Sequence, residues 1–175
     1  FNDNIMKEIL EKISSYNLFN YLLPGTIFVF VLAKISPHNF IQKDLLIGAF
    51  LYYFIGLIIS RVGSIIIEPL LKKWKFLIFA DYSDYVIYSK KDEKIDILSE
   101  TNNMYRTIIA LILSLVLVKG FDWVTVKIGM NDTWQSIIVL TLLLALFLFS
   151  YRKQTDYITK RIKAHKENNN TQQSV

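Results

Sequence analysis

From residue 45 to residue 67 the chain runs apolar with a single charge, Arg61. At the rise of an α-helix that stretch reaches about 34 Å, enough to cross the roughly 30 Å hydrocarbon layer of a bilayer. A helix apolar on every side has no solvent-facing stripe, so it belongs in the core of a large protein or in lipid. The composition favours lipid. The chain is 53% hydrophobic and 20% charged over only 175 residues, more apolar and less charged than a soluble domain of that size.

Three more blocks read as spans. Residues 18–35 form the first, with Pro24-Gly25 inside it; proline removes a backbone donor, so a kink or break is expected there. Residues 107–118 are purely apolar but too short alone. With Tyr105 before them and Phe121, Trp123 and Val124 after, they cross if Lys119 snorkels. Residues 134–151 form the fourth, with Trp134 and Tyr151 as interfacial anchors at its ends. Ahead of all four, Ile5, Ile9, Ile13 and Tyr16 recur at helical spacing opposite Lys7, Glu8, Glu11 and Lys12, the pattern of an amphipathic surface helix over 1–16.

The basic residues orient this arrangement. Lys72, Lys73, Lys75, Lys90, Lys91, Lys94 and Arg106 lie between spans two and three, and six more Lys and Arg follow span four. The opposite side carries only Lys34, Lys43, Lys119 and Lys127. The positive-inside rule places both termini and residues 69–106 in the cytoplasm. The expected fold is an all-α polytopic membrane protein in a bacterial inner membrane. It has an amphipathic helix (1–16), spans one and two (17–68), a small helical cytoplasmic insertion (69–106), spans three and four (107–151) and a basic tail (152–175). The stretch from Asp92 has helical periodicity without Gly or Pro, so one helix is expected to run from the cytoplasm into span three. Asp81 and Ser83 are expected helix caps, and the polar run after Lys166 is expected to lack structure.

Bond chemistry finds little to work with. There is no cysteine, and the two histidines, His38 and His165, stand far apart in sequence. No metal-ligand spacing, catalytic triad or glycine-rich phosphate loop occurs. No catalytic residue, cofactor or metal is expected, and the chain reads as a non-enzyme. The polar residues of the spans carry the information instead. Gly56, Ser60 and Ser64 step by four, with Gly63 beside them, a small-residue stripe that lets helices approach closely, within one protomer or between protomers. Arg61 and Glu68 share a face about 10 Å apart along the axis, too far to pair within the helix. Arg106 is the expected partner of Glu68. Arg61 either snorkels or lines a wet path, since an intramembrane charge costs about 2.5–3.5 kcal/mol or more. Asn103 and Arg106, where the third helix meets lipid, are expected either to form a polar interface collar or to bind backbone carbonyls, lipid phosphates or a ligand. Tyr82, Tyr85 and Tyr88, with Lys90, Lys91 and Lys94 beyond, are candidate ligand contacts through stacking and phosphate pairing, or the packing face of a small helix. The basic tail fits an anionic lipid surface.

The strings "NYLLPGTIFVF", "SRVGSIIIEPLLKKWKF", "ADYSDYV" and "NNMYRT" together resemble the small four-span effectors of bacterial anti-phage defence operons, nearest to the Hailong-type membrane effector. The resemblance covers residues 17–118. It implies a homo-oligomeric channel, a tetramer, that depolarises the inner membrane on infection. It also implies control by a nucleotide or short single-stranded DNA made by a nucleotidyltransferase partner. Two rival functions remain from the residues alone: a non-conducting membrane scaffold for a partner enzyme, and a small four-helix transporter using Arg61 or Glu68.

Overall fold

The structure, a computed structural model, describes residues 17–173, with side chains described through Lys166. The expected amphipathic helix over 1–16 lies outside the described residues. All regular structure among the described residues is helical: α1 (Leu18–Ile35), α2 (Leu45–Lys73), α3 (Tyr82–Tyr88), α4 (Lys94–Lys127) and α5 (Asp132–Gln173). Four of them, all but α3, are long and apolar enough to cross a membrane.

Local chemistry sets the ends. Asp44 caps α2, its Oδ1 accepting from the backbone N–H groups of Leu46 and Ile47 at 2.9 Å each, which satisfies donors the first turn leaves open. At the far end of α1, Pro37 follows within two residues and blocks continuation. The end of α4 is a Schellman motif: Met130 N–H donates to the Thr125 carbonyl at 2.9 Å and Gly129 N–H to that of Val126 at 3.2 Å, with Gly129 at φ +65°. The end of α2 repeats the motif. Phe76 N–H donates to the Leu71 carbonyl and Lys75 N–H to that of Lys72, each at 3.0 Å, but the left-handed residue is a lysine, Lys75, at φ +56°.

Of the kink or break expected at Pro24, the break does not occur. α1 continues through it, opening into a π turn over Leu18–Leu22 in which Leu23 N–H donates to the carbonyl of Leu18. A second π turn, Gly63–Ile67, sits inside α2. Each ends two residues before a proline, Pro24 and Pro69 respectively. A wider turn lets the helix pass a missing donor without snapping. α4 is the single helix foreseen from residue 92 onward. α5 likewise runs unbroken past residue 151, and its backbone stays helical through 167–173, where loss of structure was the expectation. No Gly or Pro interrupts that stretch.

The chain forms two compact units. Among the described residues, one takes those up to Gly63 with Asn103–Met130; the other takes Ser64–Asn102 with those from Asn131 onward. These units are set by packing: the divisions fall inside α2, inside α4 and in the turn between α4 and α5.

In the first unit α1 and α2 cross at two glycines. A Cβ on Gly25 would collide with the backbone carbonyl of Tyr52, and one on Gly56 with the carbonyl of Tyr21. The helices touch backbone to backbone, as small residues permit. Phe28, Val29, Leu32 and Ile59 are buried around this crossing. Gly63 faces α4, where a Cβ would lie 3.2 Å from Arg106 Cγ and 3.3 Å from Ala110 Cβ. The small-residue stripe is therefore filled within the chain at Gly56 and Gly63.

Candidate polar sites on the long apolar helices

Arg61 projects from α2 in the first unit. Its Nη2 donates to the Tyr21 hydroxyl of α1 at 3.4 Å, and the Tyr21 ring meets Tyr53 edge-on at 5.3 Å between centroids. Partial burial and this phenol give Arg61 an anchor inside the chain, a partner that spacing alone did not suggest. The buried Asn20 lies one residue away, in the π turn of α1, and Ser60 is buried beside Arg61 on α2. On α4, Thr107 is fully buried and its hydroxyl donates to the Asn103 carbonyl at 2.9 Å. So the collar residue Asn103 serves through its backbone here, and Arg106 stands against Gly63. At the other end of this unit, Lys119, expected to snorkel, donates to the Ile35 carbonyl at 2.6 Å, a cation on the C-terminal end of α1. His38 Nε2 lies 2.8 Å from Asp122 Oδ1.

The second unit holds the most concentrated polar group. Glu68 is 5% exposed. Its Oε1 takes Lys72 Nζ at 3.0 Å and Lys153 Nζ at 3.4 Å. Lys153 also donates to the Ser64 carbonyl at 2.6 Å and to the Ser64 hydroxyl at 2.9 Å. The backbone explains why that carbonyl is open. In an i→i−5 ladder its donor would be residue 69, and Pro69 has no N–H. A buried carbonyl without a donor is costly. The ammonium of Lys153, carried on α5, fills the gap. Sequence reading counted Lys153 only as a tail charge. The offset from Ser64 to Pro69 was the signal that could have found the open carbonyl, though not its donor.

The tyrosine series lies in the same unit. Tyr82 packs on Tyr85 at 6.3 Å and on Tyr157 of α5 at 5.7 Å. Tyr85 donates to Asp96 Oδ1 at 2.9 Å. Burial, helped by the Asp96 carboxylate and opposed by a bond to Ser99, raises the Tyr85 hydroxyl above its usual pKa of 10.0. Tyr88 carries Lys91 over its ring at 5.3 Å. Lys90 Nζ reaches His165 Nδ1 at 3.5 Å, and Lys94 opens α4 with its N–H on Asp92. Val86 and Ala164 are buried where α3 packs on α5. Tyr82 and Tyr85 thus act largely as a packing face. Asp81 occupies the N-cap position of α3 without a side-chain cap bond. Instead it lines a shallow open cleft of about 220 Å³ with Tyr82, Ser83, Lys160, Lys163 and Ala164. Of the six candidate ligand contacts, only Tyr82 lines this cleft; its lysines come from the tail.

No protein-family model, curated protein or solved structure matches this chain.

Proposed function

We propose that the chain is an oligomeric inner-membrane effector of bacterial anti-phage immunity that forms a pore or otherwise depolarises the membrane. Its opening is controlled at the cytoplasmic face by a nucleotide or oligonucleotide. The observation that carries the pore reading is the Glu68–Lys153–Ser64 cluster. Ionisable groups buried beside an irregular turn of a spanning helix are expensive, and in membrane proteins they mark conduction paths and gates. The Lys153 bond to the Ser64 carbonyl offers two states, held and released, which a ligand on the cytoplasmic side can bias. Exposed apolar side chains along α5, among them Leu140, Leu144 and Leu148, support association with further copies. The immunity assignment rests on the resemblance over residues 17–118.

Reconstitution tests it. In phosphatidylcholine vesicles with added phosphatidylglycerol, the purified chain passes ions, and a short single-stranded oligonucleotide changes the flux. Arg61→Leu lowers the flux at unchanged expression. Flux that is absent with and without nucleotide defeats the pore and leaves the scaffold reading. That second reading has its own support: α5 continues without a break from apolar span into a basic segment, a rigid spacer suited to holding a partner near the membrane.

A further inference from the structure

We propose that residues 74–79 form an interfacial anchor that seats in an anionic phospholipid leaflet and holds the segment after α2 against the bilayer. This rests on the reading of α2 as a membrane-spanning helix. Four large apolar side chains in these six residues are exposed: Trp74 70%, Phe76 76%, Ile78 92% and Phe79 45%. Contiguous exposure of this kind marks an interaction surface. Its place in the chain names the partner. The segment begins directly after Lys73, where the apolar α2 ends, and the Schellman motif turns the chain there. The apolar side chains are thereby delivered at the level where a spanning helix leaves the hydrocarbon. Trp at that level is an interfacial residue, and Phe joins it on the apolar face of segments that lie in the interface.

Charge selects the lipid. Residues 69–80 contain Lys72, Lys73 and Lys75 and no acidic residue. Lys72 is engaged with Glu68 at 3.0 Å and lies over the Phe79 ring at 4.0 Å, tying the end of the segment back to its helix. Lys73 and Lys75 stand exposed. Lys75 also occupies the left-handed position that Gly129 fills in the matching motif of α4. A lysine is disfavoured there, and this one stands exposed with its charge free to meet a headgroup. A second copy of the segment would set lysines against lysines, whereas anionic headgroups meet them with opposite charge.

The test uses the full chain with Trp74 as its single tryptophan (Trp123→Phe, Trp134→Phe), reconstituted in phosphatidylcholine vesicles with and without phosphatidylglycerol. Trp74 is expected to be quenched by doxyl lipids labelled near the headgroup and shielded from acrylamide, more so with phosphatidylglycerol. Adding Lys73→Gln and Lys75→Gly lowers seating in anionic vesicles about thirtyfold. A parallel chain with Trp134 alone reports insertion of the spans. If Trp134 is lipid-quenched while Trp74 stays open to acrylamide, the anchor is overturned and the spanning reading stands. If neither is quenched, both fall. Shielding of Trp74 that tracks protein density and ignores doxyl lipid assigns the patch to a second copy and overturns the proposal. Ile78→Cys carrying a nitroxide label asks the same question with all tryptophans in place: immobilisation and low access to aqueous relaxants are expected, and free tumbling overturns it.

Discussion

Gly56 tolerates no side chain, because the space a Cβ would take is the carbonyl of Tyr21. Gly56→Ala should push α1 and α2 apart and destabilise the first unit by about 3 kcal/mol, the upper part of the overpacking range, read as a lowered midpoint of unfolding in detergent. Gly120, which has nothing near its missing Cβ, is the control: Gly120→Ala should be neutral or slightly stabilising. Tyr85 predicts a pH response. Its folded pKa is raised, so the protonated phenol contributes stability fully below pH 10.0. That contribution drains away as pH climbs through the raised value. Thermal stability of the fold should therefore decline above about pH 10, and Tyr85→Phe should flatten that decline in unfolding midpoints measured across pH. Sequence reading reached the charged residues more readily than their partners. Arg61 and Glu68 stand out by spacing, yet Tyr21 and Lys153 are set by how each helix is rotated about its axis. That rotation depends on backbone contacts such as Gly25 with Tyr52, which no periodicity records.

At the level of elements, the four helices long and apolar enough to cross a membrane, the unbroken α4 among them, follow directly from apolar run length and from where Gly and Pro are missing. The π turns do not, because proline announces a lost donor without saying how the backbone absorbs it. At Pro69 the absorption is chemical as well as geometric, and this is testable. Lys153→Met leaves the Ser64 carbonyl without its ammonium and should cost about 2 kcal/mol, with Lys72 still on Glu68. Pro69→Ala supplies a backbone donor two residues beyond the π turn, at the position an i→i−5 bond to the Ser64 carbonyl requires. In that background Lys153→Met should cost clearly less, and a double-mutant cycle by thermal unfolding measures the difference. Equal costs in both backgrounds would sever the link between Pro69 and Lys153.

For the whole molecule, polarity and packing divide the chain differently. Hydropathy separates spans from the 69–106 insertion, while the compact units part inside α2 and α4. The first division was legible because it follows composition; the second depends on contacts between distant segments. Self-association of the chain is open to a clean chemical test, since it contains no cysteine. Single cysteines at Leu140, Leu144 and Leu148, exposed along α5, should give disulfide-linked dimers in membranes at one or more positions; none at any of the three would place α5 outside a subunit contact. The Lys153 cluster also makes the protein a reporter of its own state. An amine that gives its hydrogens to a carbonyl, a hydroxyl and a carboxylate is a poor nucleophile towards acylating reagents. Lys160 and Lys166, exposed on the same helix, have no such shelter. Peptide mass spectrometry after brief acetylation should find Lys153 the slow member of the set. Any condition that opens the turn before Pro69 should then appear as a burst of label at that one side chain, without a current ever being recorded.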